Sequence, residues 1–446
     1  MTFTGRGTNP AASPSLASRV PFPPAWRSWL VWGAPVIFYF VAYFVRVSPA
    51  VMTQELMRAF AVGAAGLGTL SATYFYAYVA MQIPVGILVD SWGARKLLLV
   101  GTLSTALGSF LFGATGHFGL ACVARAIIGG ATAVAWISTL KLITHWFPAR
   151  RFAMLTGLSL LVGNVGALVA QTPLRILVQH FSWRPVIVAS SVVVLGIAGL
   201  VFWLVRNDPG DIGHRSYAPE ALRTVRHDSL GQQIRGLGEL FRYRNTWLIF
   251  FAQGGLLGPV LTFAGLWGPP YLEARFGMTP TRAANVDMVM LLAFAIASPL
   301  MGHFSDQIGG RKPLYVGSAI VAAITWATMV LVPGLGTGIF IVLAGVAGFA
   351  GSSCILGFAF GKESVPEQHL GTITGLMNMG NIIGPMLLQP GIGVLLDRRW
   401  GGAMAHGARI YSPEAYRWAF AVMLIWSVAS IVLLALTRET HCRQQA

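Results

Sequence analysis

Charge is what this sequence has least of. Asp, Glu, Lys and Arg together make only 10% of its 446 residues, where a soluble domain carries about 25%, so a surface exposed to water on all sides is excluded. Acid is scarcer than base: 15 Asp and Glu stand against 31 Lys and Arg, a formal net charge of +16. Cysteine occurs three times, at Cys122, Cys354 and Cys442, with no C-x-x-C, which excludes a disulfide framework and a thiolate metal site. Nine histidines supply neither H-E-x-x-H nor a pair spaced i, i+4, so no metal site is expected. G-x-S-x-G is missing. GFAFGKES (357–364) fails as a phosphate loop, because three residues instead of four separate its glycines and Glu363 stands where Ser or Thr would hold magnesium. An enzyme is not expected, and no cofactor is required.

Long apolar runs are what is there. The chain is 55% hydrophobic, and a bilayer core about 30 Å thick takes roughly 20 apolar residues per helix. A dozen such stretches fall near 30–53, 66–90, 97–115, 119–144, 152–174, 184–205, 246–270, 284–303, 313–332, 337–360, 371–395 and 415–437. They lack the in/out alternation of barrel strands, and helices alone then satisfy the backbone inside lipid. The expected fold is an all-α membrane protein of 12 transmembrane helices. Glycine, 52 residues, lets such helices approach closely. Most of the basic residues lie in the two tails and in alternate loops, which places both termini in the cytoplasm of a bacterial inner membrane. That same distribution argues against nucleic acid as the partner of a basic chain.

The longest polar segment, 207–245, divides the helices six and six. The boundaries expected are a disordered tail over 1–28, a six-helix bundle over 29–206, a linker over 207–245 with an amphipathic piece LGQQIRGLGELFRY (230–243) along the membrane surface, a second bundle over 246–437 and a tail over 438–446. The halves repeat each other. Gly86, Asp90, Gly93, Arg95 and Lys96 align without a gap on Gly302, Asp306, Gly309, Arg311 and Lys312, and TGLSLLVGNVGALVAQTPL from Thr156 matches TGLMNMGNIIGPMLLQPG from Thr374 with one gap. Duplicated six-helix units are the build of many secondary transporters, with the solute site between the repeats near the midplane.

The G-x-x-x-D-x-x-G-x-R-[KR] loop, present in both halves, resembles the signature loop of the major facilitator superfamily, and Arg125-x-x-x-Gly129 resembles its helix-4 motif. The resemblance implies two pseudo-symmetric six-helix bundles that rock about a central pocket. It makes Gly86, Asp90, Gly93, Arg95, Gly302, Asp306, Gly309 and Arg311 gate residues that latch the halves on the cytoplasmic side. A carboxylate there accepts from a neighbouring helix start and pairs with Arg95 or Arg311.

Ionisable residues at membrane depth are functional candidates. Arg46, with Tyr39 and Tyr43 near its face of the first helix, and the stripe Tyr74, Tyr78, Gln82 on the second are read as solute-binding. So are Lys141 and the paired amides Asn164 and Asn381, with Gln171 and Gln389 further along the same helices. Arg125, through the motif it resembles, and Asp287 are the candidates for proton coupling.

YFVRVSPAVM (43–52), HWFPARRFA (145–153) and RNDPGDIG (206–213) are similar to segments of the superfamily's organic-anion carriers, the organophosphate:phosphate antiporters and anion:cation symporters. The antiporters pair the helix-1 arginine with another on helix 7, and here helix 7 (GGLLGPVLTFAGLWGPPYL) has none. One arginine suits one carboxylate, so the expected cargo is a monocarboxylate, an amino acid or a short peptide. The function expected is secondary active transport by a monomer, driven by protons; a transporter-like solute sensor and a lipid translocator are the alternatives.

Overall fold

In a computed structural model the chain is described over residues 20–218, 238–240, 242–366, 369–405 and 407–444. Among these residues, 12 helices are long and apolar enough to cross a membrane. Six precede the connecting segment: α1 (Ala25–Phe60), α2 (Ala64–Ser91), α3 (Ala94–Ala114), α4 (Phe118–Trp146), α5 (Ala149–Phe181) and α6 (Trp183–Leu204). Six follow it: α7 (Arg244–Phe276), α8 (Pro280–Ile308), α9 (Lys312–Leu331), α10 (Thr337–Glu363), α11 (Leu370–Arg398) and α12 (Pro413–Ala435). A short antiparallel hairpin, β1 (Met404–Ala405) with β2 (Ala408–Arg409), lies between α11 and α12. Most of the tail expected over 1–28 and of the amphipathic piece 230–243 lies outside the described residues. Helix α1 begins at Ala25 and α7 at Arg244, slightly ahead of the starts read from composition.

The spans break where the backbone ladder cannot continue. Helix α1 is α-helical to Val47, tightens to a 3₁₀ turn over Ser48–Met52 and resumes over Thr53–Phe60. Pro49 has no N–H to give the Val45 carbonyl; Ser48 Oγ (3.2 Å) and Arg125 Nη1 (2.8 Å) donate to it instead. In α7, Pro259 likewise leaves the Gly255 carbonyl free, and Ser427 of α12 donates to it at 3.0 Å. Just beyond, α7 passes through a π turn over Phe263–Trp267. Helix α4 is interrupted at Ala133 and α10 by a 3₁₀ turn over Ser352–Ile355. Four of the breaks therefore fall in corresponding helices of the two halves, α1 with α7 and α4 with α10; α5 is also interrupted, at Ala170–Gln171, where its counterpart α11 runs unbroken.

Close backbone approach repeats as well. A Cβ on Gly129 of α4 would lie 2.0 Å from the Tyr74 carbonyl oxygen of α2, and one on Gly348 of α10 would lie 2.0 Å from the Met290 oxygen of α8. Tyr74 and Met290 are separated by the offset that relates Asp90 to Asp306. Only glycine permits these crossings. Large apolar side chains such as Val192, Trp203, Ile339 and Ile425 remain exposed on the outer faces, as contact with lipid tails requires. Helix α2 packs extensively against α11, which joins the halves.

Candidate solute site

Arg46 stands one residue before the α-helical part of α1 ends, and it is only 6% exposed. Its guanidinium carbon lies 4.6 Å from the centre of the Tyr43 ring, 5.0 Å from Tyr78 and 5.9 Å from Tyr74. The helical spacing on α1 and α2 explains why these rings converge: Tyr43 is three residues before Arg46, and Tyr74 and Tyr78 occupy successive turns. Tyr39 donates its hydroxyl to Tyr43 across 3.1 Å and stacks on Trp136 with centroids 5.1 Å apart. The Tyr74 hydroxyl donates to the Ala42 carbonyl (3.3 Å) and lies 3.0 Å from Thr132 Oγ1, which fixes the ring beneath the cation.

What this cage lacks is an anion. Arg46 Nε has no hydrogen-bond partner, and none of the ion pairs among the described residues involves Arg46. Each contact between a cation and a ring face contributes about 0.5–2 kcal/mol, and none of the three supplies the opposite charge that usually offsets the dehydration of a buried ion. The site is electrostatically incomplete, and a carboxylate meeting the planar guanidinium would complete it.

A cavity of about 620 Å³ lies between the halves, lined by Gln82, Asp90 and Trp136 from the first and Phe358, Lys362 and Asn378 from the second. It runs from the end of the molecule that carries the linker. Its inner wall is a bridge between the halves, Asn378 Nδ2 donating to Gln82 Oε1 at 3.0 Å, one helical turn from Tyr78. Trp136 is shared by the cavity wall and the Tyr39 stack, so the cavity reaches the edge of the arginine cage.

The other residues singled out in the sequence divide into several groups. Lys141 is not beside Arg46: its ammonium donates to Asp90 Oδ1 (2.8 Å) and to the Val89 carbonyl (2.7 Å) at the linker end. That contact also replaces the expected pairing of Asp90 with Arg95. Arg95 turns to the Phe202 carbonyl (2.8 Å), and its own N–H is held by Asn207 Oδ1 (2.8 Å), so the helix start that a carboxylate would cap is already occupied. In the second half the expected pair does form, Arg311 to Asp306 at 2.6 Å, with Glu363 at 2.8 Å. These ion pairs stay within each half.

Arg125 is fully buried between the Val45 carbonyl and the Tyr74 ring, 4.9 Å from its centre, so it braces the break in α1 beside Arg46. Gln171 donates to the Ala264 carbonyl (2.9 Å) in the π turn of α7, and Gln389 to the Leu261 carbonyl (3.2 Å) just before it. Asn381 is buried with its oxygen unpartnered, and Asn164 is half-buried. Asp287 is fully buried with both oxygens unpartnered, packed where a Cβ on Gly268 of α7 would stand 2.5 Å away. Asn378, Trp136 and Lys362 were not singled out from the sequence. Asn378 sits in the duplicated TGLMNMGN segment, and that segment was the available signal.

At the start of α9, Glu439 accepts from the N–H groups of Arg311 (2.9 Å) and Lys312 (2.8 Å). Burial alone would raise this carboxyl, but the N–H groups of Arg311, His441, Lys312 and Thr440 outweigh it and hold Glu439 below its usual range.

Two six-helix halves around a polar cavity, set in a multi-pass membrane chain, have the build of a solute transporter. Residues 36–284 and 259–445 match the model of the Major Facilitator Superfamily, and the chain belongs to that family. It is a transporter of small solutes and not an enzyme. It is similar to a probable sulfoacetate transporter of Cupriavidus necator, 23% identical over 390 residues that cover 83% of this chain and 87% of the relative. It is also similar to a putative tartrate transporter of Agrobacterium vitis, 24% identical, covering 79% and 81%, and to human vesicular glutamate transporter 2, 22% identical, covering 83% of this chain and 64% of that one. Its fold matches a bacterial homolog of the human lysosomal transporter Spinster in an inward-facing, unoccupied conformation, with TM-score 0.73 at 16% identity, covering 93% and 97% of the two chains.

Proposed function

We propose that this protein is a proton-coupled secondary transporter of a small organic anion, working by alternating access as a monomer in a bacterial inner membrane, with the linker and both termini in the cytoplasm. The observation that carries this reading is Arg46: a buried guanidinium caged by three tyrosine rings, without a carboxylate, with one of those rings, Tyr78, a helical turn from Gln82 in the wall of the cavity between the halves. Sulfoacetate, tartrate and glutamate, the solutes for which these relatives are named, each carry at least one carboxylate, which supports a cargo with a carboxylate. A phosphate ester would require a second cation, and α7 has no arginine between Thr246 and Glu273. The basic residues of alternate loops support the orientation. An unpartnered carboxyl inside the membrane is the type of group that takes up and releases a proton, and Asp287 fills that role in this reading.

The test is a thermal-shift screen of monocarboxylates, amino acids, short peptides and sugar acids, with sulfoacetate and tartrate included, on the purified protein and on Arg46→Ala. At least one anion stabilises the parent, and the variant binds it about 100-fold or more weakly, as loss of a charge-assisted bidentate contact predicts. Equal shifts in both proteins remove Arg46 from the solute site.

A further inference from the structure

At the end of the molecule away from the linker, α11 of the second half meets the start of α2 of the first. Asp397, one residue before α11 ends, accepts from two backbone N–H groups there, Ala64 to Oδ1 at 3.1 Å and Ala65 to Oδ2 at 2.9 Å. Tyr411 donates to the same Oδ1 (2.5 Å) and accepts from Ala64 N–H (2.8 Å), while Arg409 Nη1 of β2 stands 3.1 Å from Oδ1. A helix start offers N–H groups with no partner in the helix and a partial positive charge, so a carboxylate is the matching group. The fit leaves no slack: a Cβ on Gly63 would lie 2.5 Å from Asp397 Oδ1 and 2.9 Å from Arg409 Nη1, and one on Gly393 would lie 2.2 Å from the Ala64 oxygen.

We infer that Asp397 is the charged latch among the contacts that hold this far end shut, beside the neutral bonds of Thr172 to Asn285 (2.5 Å) and Thr281 to Gln179 (3.2 Å), and that its bonds to α2 weigh on how often the far end opens. The contact joins the two halves, whereas the ion pairs of Asp90 and Arg311 at the linker end each stay inside one half. The large cavity lies at the unlatched end. A rocking motion that opens the far end must part Ala64 and Ala65 from Asp397 and return both to water. Every charge-assisted bond lost in that step weights the balance toward the present closure.

The test reads that balance directly and without solute, so its outcome is independent of the Arg46 assignment. The full chain, with Cys122, Cys354 and Cys442 replaced by alanine, carries spin labels at His117→Cys beyond α3 and Thr337→Cys at the start of α10, both exposed far-end positions in opposite halves. Distances are measured by pulsed electron resonance in lipid nanodiscs. The parent shows mainly the short distance. Asp397→Asn, which keeps the shape but turns an amide N–H toward donors, raises the ratio of long to short about tenfold. Gly63→Ala, which crowds the carboxylate without changing charge, moves the ratio the same way, and Tyr411→Phe moves it less. A misfolded variant loses both peaks instead of exchanging one for the other. An unchanged ratio in Asp397→Asn overturns the latch; should that variant not fold, an unchanged ratio in both Gly63→Ala and Tyr411→Phe overturns it.

Discussion

Tyr74 and Met290 occupy matching places in α2 and α8, each with its carbonyl pressed against a glycine of the neighbouring helix, yet Tyr74 faces two arginines while Met290 is buried packing. At the same offset Tyr78 and Gln82 become Phe294 and Ser298. The stretch of α7 that answers the Arg46 region, PVLTFAGLW, has no charge. The exchange also runs the other way: Asp287 in α8 stands where α2 has Ser71. The Gly129 and Gly348 contacts and the breaks of α1 with α7 and α4 with α10 are what the two halves share, because these set how closely helices can approach, and a change there disturbs the whole bundle. Buried charge is what they do not share. Among the described residues one half holds two buried arginines outside any ion pair, Arg46 and Arg125, and the other an unpartnered carboxyl, which on the proposed reading separates the place of the anion from that of the proton.

Replacing the carboxyl unique to the second half is the most severe way to break that division. Asp287→Asn in proteoliposomes should abolish accumulation of the solute driven by a proton gradient, while counterflow of labelled against unlabelled solute continues. Loss of both activities together would place Asp287 in solute binding or in the fold instead. A milder change sharpens the contrast: Tyr74→Met gives the first half the residue that the second already tolerates. The bundle should keep its melting temperature to within a few degrees, while solute binding weakens about tenfold, the equivalent of one lost ring contact to a buried cation. Equal binding would mean that Tyr74 serves the fold alone.

The frame of this molecule was legible in its sequence because the forces that build it act on composition and spacing. Twelve apolar runs, the glycine and charge spacing of Gly86 to Lys96 and its copy at Gly302 to Lys312, and the polar break at the midpoint define the helices and the duplication before any coordinates. Arg46 was legible for the same reason, since a cation inside an apolar run has few ways to be satisfied. Partners were harder to read. Asp90 takes Lys141 from another helix because Asn207, more than a hundred residues away, already holds the start of α3, and no local pattern announces such a competition. Asp397 sits at the end of α11 next to two arginines and looks like an ordinary helix-end charge. Only the fold brings it to Ala64 and Ala65.

The smallest effect should separate the halves at their linker ends, where the same task is done by a group that titrates and by one that does not. The first N–H groups of α9 are held by the Glu439 carboxylate, and the N–H of Arg95 at the start of α3 is held by the Asn207 amide. Glu439 titrates below its usual range because four backbone N–H groups outweigh its burial. A depressed carboxyl contributes stability that is fully present above its unfolded pKa and is lost as pH falls through the folded value. Amide exchange at Arg311 and Lys312, corrected for the intrinsic rate, should therefore quicken a few-fold when pH is lowered from about 7 to about 3, while exchange at Arg95 keeps its protection. Asp306 and Glu363 also face Arg311, but they act on its side chain, and Glu439→Gln separates the two causes. That variant should show weakened protection at Arg311 and Lys312 already at neutral pH and little further change on acidification. Equal acid sensitivity at Arg95 and Lys312 would mean that the linker ends respond to acid as one surface, and that the amide and the carboxylate are interchangeable there.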